Sequence, residues 1–332
     1  MKVLFIGGTG NISSACSDLA IRRGIDLYHL NRGISANIRN VEGVKTIIAD
    51  IRNFDETQKA IEGHQFDVVV DFIAFEPEHI VDDIKLFSGK TLQFIFISST
   101  SVYQIPPNRL PITEDTRLDN QFWEYSRKKI ACENLLREEY NKNGFPYTIV
   151  RPSHTYSKTL IPVKGGFTVL HRMLKGIPVV VHGDGTSIWT LTHHTDFAVG
   201  LVGLLGNKLA INEAFHITSD EWLTWNNIFI ILATELGVTP HLVHVPSDII
   251  ARYDKVIGDS LLGDKAHSMI FDNSKIRKFV PDFNPKISFY QGVKEIVKWY
   301  QENTMQLEAD KYINDLMDIM IKDMQDLRIN TT

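Results

Sequence analysis

Cysteine, long apolar runs and excess positive charge are all scarce in this sequence, and each scarcity excludes a class of protein. The two cysteines, Cys16 and Cys132, cannot form a disulfide framework and do not lie in the paired pattern of a zinc site. No stretch approaches the ~20 apolar residues of a membrane-spanning helix, and the apolar run near Met1 is too short for a signal peptide. We therefore expect a cytoplasmic protein with no membrane segment and no metal site.

The charge balance also argues against a nucleic-acid partner. The 332 residues carry a formal net charge of -5, which gives no electrostatic reason to expect binding to a phosphate backbone. Hydrophobic residues make up 43% of the chain, enough to build a sizeable core in one large domain or two ordinary ones. The expected partner is therefore a small-molecule substrate.

The first 150 residues alternate short β-rich runs with helical patterns, such as the helix predicted from about Asn11 to Arg23. The predicted strands are Lys2–Ile6, Asp26–Leu30, Lys45–Ala49, Asp67–Asp71, Gln93–Ile97 and Tyr147–Val150. Several of these runs are continuously apolar, which is typical of parallel strands buried on both faces. Strands separated by helices predict an α/β fold, a Rossmann-type doubly wound parallel sheet.

The regular alternation of predicted strands and helices ends after Arg151-Pro152, and the helical and strand-like segments that follow are irregular. We expect a dinucleotide-binding domain over residues 1–157 with a return segment near 189–205, and a smaller mixed α/β substrate lobe over 158–188 and 206–332. The end of the chain has one apolar helical stripe, which predicts a helix docked on its own subunit or an oligomer contact. The stripe consists of Ile313, Leu316, Met317, Met320, Met324 and Leu327.

A glycine-rich turn, GGTGNIS, follows the first predicted strand and opens the first helix. Gly7 permits the tight turn, and Gly10 lets the backbone approach a pyrophosphate, to which the helix N-terminus offers amide donors. Ser13 replaces the third glycine of the usual pattern with another small residue. The residues of this turn expected to contact a dinucleotide are Gly7, Thr9, Gly10, Asn11 and Ile12.

The end of the second strand bears on the choice between NAD and NADP. An acidic residue there would bind the ribose 2′-hydroxyl of NAD, but the sequence has Asn31 and Arg32 instead. Arg32 could form charge-assisted bonds to a 2′-phosphate, which favours NADP, although an arginine can also lie along the adenine of NAD. Asp50-Ile51, after the third strand, is placed to meet the adenine edge, or Asp50 is a simple loop aspartate.

Three residues form a candidate catalytic group. Ser99 lies at the end of the fifth strand, while Tyr125 and Lys129 lie four apart and so share one helical face. A tyrosine titrating near 10 is a poor acid–base group, and we expect the neighbouring ammonium and a nicotinamide ring to lower its pKa. Ser99 would donate a hydrogen bond to the reacting oxygen.

At this point the sequence resembles an extended short-chain dehydrogenase/reductase of the NAD-dependent epimerase/dehydratase family, whose members include nucleotide-sugar epimerases. The pieces that carry the resemblance, in the family's order, are GGTGNIS, DVVVDFIAF, FIFISSTSVY, YSRKK, IVRPSHTY, GDGTSIWTLTHHTDFA and FDNSKIRKFVPDF followed by GVKEIVKWY. The resemblance implies Ser99, Tyr125 and Lys129 as the catalytic trio, with Lys129 also holding the nicotinamide ribose. It further implies that Phe72, Ile73 and Ala74 line the cofactor, that Pro152 and Ser153 flank the nicotinamide, and that the protein is a homodimer.

Departures from the family pattern concern the substrate. Dehydratases of this family carry an Asp-Glu pair where this chain has Thr100-Ser101, which disfavours dehydration. Epimerases often place an asparagine where this chain has His154, and a phosphate-gripping arginine where it has Trp189. We therefore take Thr100, His154 and Trp189 as candidate substrate contacts, with His154 also explicable as a structural histidine.

Three functions remain open from the sequence. In an epimerase, Tyr125 removes a hydroxyl proton while hydride leaves the same carbon and later returns to the other face. In an NADPH-dependent carbonyl reductase acting on a non-nucleotide substrate, Tyr125 protonates the product oxygen. The third possibility is a non-enzymatic protein that binds RNA or senses a dinucleotide, although relatives of that kind often lose the tyrosine or the lysine that this chain keeps.

Overall fold

The protein, described by a computed structural model over residues 1–33, 41–303 and 308–329, is built around a seven-stranded parallel sheet. The strands of this sheet, in the spatial order β11-β6-β5-β4-β1-β2-β3, are β1 (Lys2–Ile6), β2 (Asp26–Asn31), β3 (Lys45–Ile48), β4 (Phe66–Asp71), β5 (Thr91–Ile97), β6 (Tyr147–Pro152) and β11 (Glu213–Ile217). Each of the six strands predicted above is present and ends within two residues of its predicted limits. The predicted doubly wound α/β fold is confirmed.

Helices cover both faces of this sheet. In chain order the helices of the described ranges are α1 (Asn11–Arg22), α2 (Phe54–Ala60), α3 (Pro77–Phe87), α4 (Glu124–Asn143), α5 (Phe167–Leu174), α6 (His194–Leu204), α7 (Trp225–Glu235), α8 (Ser247–Tyr253), α9 (Lys255–Ser260), α10 (Ser274–Phe279), α11 (Phe289–Asn303) and α12 (Lys311–Ile329). Of these, α1, α2, α3, α4, α6 and α10 pack on the sheet, and the others pack in the second lobe. One face packs on α1 and α6 through Cys16 and Leu201, and the other packs on α3 and α4 through Leu86 and Cys132. Both cysteines are therefore buried thiols within the core.

The second lobe contains three small strand pairs around a separate core. These are β7 (His154–Tyr156) with β10 (Leu191–His193), β8 (Val179–His182) with β13 (Leu242–Val245), and β9 (Ile188–Trp189) with β12 (Leu223–Thr224). The large sheet includes β11, although the sequence-based division at residue 206 places this segment in the substrate lobe. Phe215 and Ile217 of β11 are buried against the first domain, which explains why the strand belongs there.

The C-terminal helix α12 docks on its own chain, one of the two possibilities left by the sequence. Leu316, Met317 and Met320 are buried in the core of the second lobe, and the buried Arg172 guanidinium lies 2.7 Å from a carboxylate oxygen of Asp318. The side chain of Leu327, the last member of the predicted stripe, lies outside the described residues. Among the helices of the described ranges, none is both long enough and apolar enough to cross a membrane.

Candidate active site

The candidate site lies along the carboxyl edge of the sheet, where chain segments leave β1, β4, β5 and β6. These strands end beside Gly7, Phe72, Ser98 and Ser153, respectively. In open α/β sheets ligands bind at this edge, because the loops that follow the strands and the N-termini of the helices converge there. The fold therefore brings together residues that are separated by almost 150 positions in the sequence.

The glycine turn after β1 is held by Ser13. The Ser13 hydroxyl accepts a hydrogen bond from Gly10 N–H at 2.8 Å and donates one to the Gly7 carbonyl at 2.8 Å. Gly7 has a φ of +78°, and a Cβ atom there would lie 2.6 Å from the Ile73 side chain, so both conformation and space require glycine. At the start of α1, Ser14 N–H donates to Gly10 O. The N–H groups of residues 11–13 come before this first helical hydrogen bond, so they can donate to a bound anion.

A deep cleft begins at this turn and contains most of the predicted cofactor residues. Those lining it are Gly7, Thr9, Gly10, Asn31, Arg32, Asp50, Ile51 and Ile73. Two further lining residues, Arg52 and His79, were not predicted from the sequence. The Arg52 guanidinium donates to the Ile73 carbonyl, and Asp50 Oδ1 accepts from Arg52 N–H at 3.0 Å. The glycine turn, the N–H groups at the start of α1 and the guanidinium group of Arg32 make this cleft suitable for a dinucleotide.

The segment after β4 is shaped by two buried aspartates. Asp71 Oδ1 accepts hydrogen bonds from Ile73 N–H at 2.5 Å and from Ala74 N–H at 2.8 Å. Asp71 Oδ2 and both carboxyl oxygens of Asp83 are buried and meet no donor among the described residues, yet the two carboxyls lie within hydrogen-bonding reach of each other. Burial and the Asp71 charge raise the pKa of Asp83 well above its usual range. We therefore treat Asp83 as the protonated partner, which donates to Asp71.

Lys129 is almost wholly buried beneath this segment. Its Nζ donates to the carbonyls of Ala74 at 2.7 Å and Ile97 at 2.8 Å, which leaves one N–H for another acceptor. Burial lowers the pKa of Lys129 to about 8, so the amine is still mainly protonated at neutral pH. Ala74, predicted to line the cofactor, is itself fully buried and acts through its carbonyl on Lys129.

Tyr125 and Ser99 face each other at the mouth of the site. The Tyr125 hydroxyl lies within hydrogen-bonding reach of Ser99, whose Oγ is also 2.9 Å from Ser101 Oγ. The Lys129 Nζ is 5.7 Å from the centre of the Tyr125 ring. Among the protein groups, burial outweighs the Ser99 hydrogen bond and raises the pKa of Tyr125 to about 12. The lowering expected from Lys129 together with a nicotinamide ring stays a prediction.

A second cleft adjoins the first one. The predicted residues that line it are Ile12, Phe72, Ser99, Thr100, Tyr125, Lys129, Pro152, Ser153 and His154. Phe75, which was not predicted, lines both clefts and so marks where they meet. Asn11 is not among the residues that line these two clefts, and its side-chain oxygen accepts a 2.9 Å bond from the Ser157 hydroxyl. The predicted catalytic trio and the expected nicotinamide neighbours therefore line the same cleft.

Trp189 acts on the second cleft through His154. The indole is 3% exposed, and its Nε1 donates to His154 Nδ1 at 3.3 Å. Burial and the charge of Lys265 keep the pKa of His154 well below its usual range, so the ring is neutral. With Nδ1 accepting, the proton is on Nε2, and His154 is a hydrogen-bond donor in the cleft.

Asp264 and Lys265 complete the second cleft and were missed by the sequence reasoning. Both are 7% exposed, and Lys265 Nζ lies 3.1 Å from Asp264 Oδ2. They lie on Leu261–Lys265, a π-helical turn in the second lobe. The local sequence LLGDK has no catalytic or binding pattern, so no signal in the sequence could have placed it beside Tyr125. Burial raises the pKa of Asp264, against the opposing effect of Lys265.

Comparison with known proteins gives a family match over most of the chain. The sequence profile described as the NAD dependent epimerase/dehydratase family matches residues 3–217, which include the glycine turn and the trio of Ser99, Tyr125 and Lys129. The matched range ends at the last residue of β11, so it covers all of the large sheet except Lys2, the first residue of β1.

Two curated relatives are informative. A chloroplast stem-loop binding protein of 41 kDa from Arabidopsis thaliana is 27% identical over 257 residues, which cover 73% of this chain and 65% of that protein. The chain thus spans less than two thirds of the length of this relative. A 2′-dehydrokanamycin reductase from Streptomyces kanamyceticus is 22% identical over 309 residues, covering 90% of this chain and 84% of that protein.

Solved structures share the fold. A UDP-glucuronic acid 4-epimerase from Bacillus cereus, in complex with UDP-glucuronic acid and NAD, superposes with a TM-score of 0.75 at 20% identity. The superposition covers 91% of this chain and 99% of the epimerase. At this identity the likeness establishes the fold and leaves the substrate open.

Proposed function

The chain belongs to the NAD-dependent epimerase/dehydratase family, and from that premise we propose that it is an epimerase-type enzyme acting on a hydroxyl-bearing carbon of a nucleotide sugar or a related polar substrate. The observation that carries the proposal is the trio at the junction of the two clefts. Tyr125 is paired with Ser99, and Lys129 lies behind the tyrosine ring on two backbone carbonyls. An alcohol placed beside Ser99 and Tyr125 would meet both a proton acceptor and a hydrogen-bond donor.

In this proposal each residue has one task. Tyr125 takes the hydroxyl proton of the substrate and returns it, while Ser99 donates a hydrogen bond to the same oxygen and stabilises its developing negative charge. Lys129 uses its remaining N–H on the nicotinamide ribose and places a positive charge near the tyrosine, which favours the phenolate. A bound nicotinamide ring supplies a reversible acceptor for the hydride of the substrate carbon.

The pKa of Tyr125 determines how the proposed activity depends on pH. Because burial raises the pKa of Tyr125 to about 12, the phenol is protonated at neutral pH until another positive charge approaches. Lys129 lines the second cleft and lies 5.7 Å from the centre of the Tyr125 ring, so cofactor binding and activation of the tyrosine are linked in this proposal. We expect the activity to rise with pH on its acid side, with the midpoint set by Tyr125 in the loaded enzyme.

The proposal is tested by the dinucleotide that the protein retains. Denaturing the purified protein and identifying the released nucleotide by mass spectrometry should give about one NAD or NADP per chain if the cofactor is kept through an epimerase cycle. The loaded protein is then mixed with UDP-glucose, UDP-glucuronic acid and dTDP-glucose, and reduction of the nicotinamide is followed by its near-ultraviolet absorbance. Absence of any bound dinucleotide and of any affinity for added NAD or NADP would refute the proposal.

A carbonyl reductase is the second candidate, and the streptomycete reductase matches 90% of this chain. Arg32 in the first cleft supports it, because a 2′-phosphate would gain a charge-assisted partner and NADPH is the usual reductant. We therefore propose NADP rather than NAD as the preferred dinucleotide. A protein isolated empty, which binds NADPH more tightly than NADH, would favour the reductase over the epimerase.

Binding to an RNA stem-loop is the third candidate, and it is motivated by the plant relative with that kind of name. The retained Tyr125 and Lys129 argue against it, as does the net charge of -5. Stem-loop affinity that falls steeply with salt would support it. The homodimer and the cytoplasmic location expected from the sequence also stay proposals, and sedimentation equilibrium of the purified chain tests the first of them.

A further inference from the structure

We propose that Asp264 and Lys265 recognise two neighbouring oxygen atoms of a neutral polyhydroxylated ring and so determine which part of the substrate enters the second cleft. This inference rests on the proposed function, since it names the chemistry of the group held beside Tyr125. The two residues lie far from the glycine turn in sequence, on the π-helical turn Leu261–Lys265. Such turns are rare and occur frequently at functional sites.

The π-helical turn is fixed to the catalytic strand end. The buried Asn120 uses its side-chain NH₂ group to donate to Gly263 O at 2.6 Å and to Ser101 O at 2.8 Å, which links the turn to the residues after β5. A Cβ atom at Gly263 would lie 2.6 Å from Trp123 Cβ, so glycine allows the turn to approach the cleft wall closely. The position of Asp264 and Lys265 is therefore coupled to that of the catalytic residues.

The carbonyl of Lys265 gives the turn a second anchor. It accepts from Trp225 Nε1 at 3.1 Å and from the Ser187 hydroxyl at 3.0 Å, and His182 Nε2 lies 3.1 Å away. Three partners on one carbonyl hold the backbone rigidly, and the side chains of Asp264 and Lys265 need little further ordering when a ligand binds.

One carboxylate oxygen of the ion pair has no hydrogen-bond donor among the described residues. Asp264 Oδ2 faces Lys265 Nζ, whereas Oδ1 is buried and has no donor among the described residues. A buried ion pair is weak evidence for stability, because the desolvation of both charges offsets their attraction. A carboxylate oxygen left without a donor adds a further unfavourable term, which a ligand hydroxyl would remove. Both residues line the cleft that contains Ser99 and Tyr125.

The chemistry of the pair selects a neutral diol over an anion. Asp264 accepts a hydrogen bond and Lys265 donates one, so two adjacent hydroxyl groups of a ring satisfy both, while a phosphate would be repelled by the carboxylate. Lys164, whose charge also acts on Asp264, lines a neighbouring pocket, whereas Lys265 lines both that pocket and this cleft. Lys265 Nζ is 5.5 Å from the centre of the Trp123 ring, and Trp123 offers an apolar face to the ring of the ligand.

The test measures binding of simple polyols to the dinucleotide-loaded full-length protein. Saturation-transfer NMR with methyl α-D-glucoside, methyl α-D-galactoside and myo-inositol should show binding of at least one of them. Asp264→Asn should weaken the Kd of that polyol about tenfold or more, which is the effect of losing a hydrogen bond to a charged group. Asp259→Asn is the matched control, since Asp259 pairs with Lys255 on the adjacent helix, outside the cleft.

A double variant distinguishes loss of polyol binding from loss of the folded structure. Asp264→Asn/Lys265→Met leaves no unpaired charge, and it should retain the circular dichroism of the wild type while losing polyol binding. The inference is overturned if no polyol binds the wild-type protein, if Asp264→Asn binds as tightly as Asp259→Asn, or if inorganic phosphate displaces the polyol. Because the assay reads binding without turnover, its failure is distinct from the failure of the hydride-transfer proposal, which is decided by cofactor reduction.

Discussion

Asp83→Asn should have a higher free energy of unfolding than the wild type, and this difference should increase as the pH rises. In the structure the carboxyls of Asp71 and Asp83 are buried together, and Asp71 also accepts from the backbone N–H groups of Ile73 and Ala74. A protonated Asp83 can donate to Asp71, and an asparagine amide can do the same at every pH. The substitution therefore keeps the contact and removes its dependence on a proton.

The magnitude follows from proton linkage. The pKa of Asp83 is raised well above its usual value of 3.8 by burial and by the charge of Asp71. Between those two pKa values the native state holds one proton more than the unfolded chain, so wild-type stability is greatest below the unfolded pKa and is lost as the pH rises through the native one. One proton corresponds to ~1.4 kcal/mol per pH unit. The advantage of Asp83→Asn should therefore grow by ~1.4 kcal/mol for each pH unit between the two pKa values.

Urea unfolding at a series of pH values, followed by circular dichroism, measures this difference directly. Asp18→Asn is the matched control, because Asp18 is an exposed helix aspartate that pairs with Arg22 on α1 and does not act on the buried pair. Its stability relative to the wild type should be nearly independent of pH in the same window. A constant difference between Asp83→Asn and the wild type across the series would refute the reasoning, since it would mean that Asp83 is ionised in the native state.

Three further outcomes are expected. Lys129→Met should weaken dinucleotide binding at least about tenfold. It should also lower the Tm, because the buried carbonyls of Ala74 and Ile97 lose their donor, which costs ~1–3 kcal/mol of stability for each. An unchanged Tm and an unchanged affinity in calorimetry would contradict this. Arg32→Ala should weaken NADP much more than NAD in fluorescence titrations, and equal losses would remove the argument for NADP. Ser13→Ala should raise the Kd of the dinucleotide about fivefold, at ~1 kcal/mol for a loosened turn, and an unchanged Kd would show that the turn holds without the hydroxyl.

Much of the first domain was predictable because its signals are local. Strands such as Lys2–Ile6 and Asp67–Asp71 are continuous apolar runs, and only parallel strands buried on both faces require that pattern. Glycines at the end of the first strand and the four-residue spacing of Tyr125 and Lys129 likewise depend on neighbouring residues alone. The family profile over residues 3–217 agrees with the predicted family and fold of this domain.

The substrate side of the site depends on contacts between distant residues, which spacing does not encode. Asp264 approaches Tyr125 because Asn120 binds the backbone of the π-helical turn at Gly263, an arrangement with no local pattern. The sequence also contains no measure of burial, which raises the pKa of Tyr125 and opposes the lowering expected from Lys129 and a nicotinamide ring. The same reason hides Asp83, which has the sequence appearance of an ordinary helix carboxylate.

The central claim, that Tyr125 is the acid–base group of a hydride-transfer enzyme, is tested most directly by Tyr125→Phe. The loaded variant is compared with wild type and with Tyr140→Phe, a tyrosine of the same helix that packs on Tyr147 away from the clefts. The readout is reduction of the bound nicotinamide by whichever sugar reduces it in the wild-type protein. We expect the rate to fall at least about a hundredfold with dinucleotide affinity nearly unchanged, while Tyr140→Phe behaves as the wild type. Wild-type reduction rates in Tyr125→Phe would contradict the account.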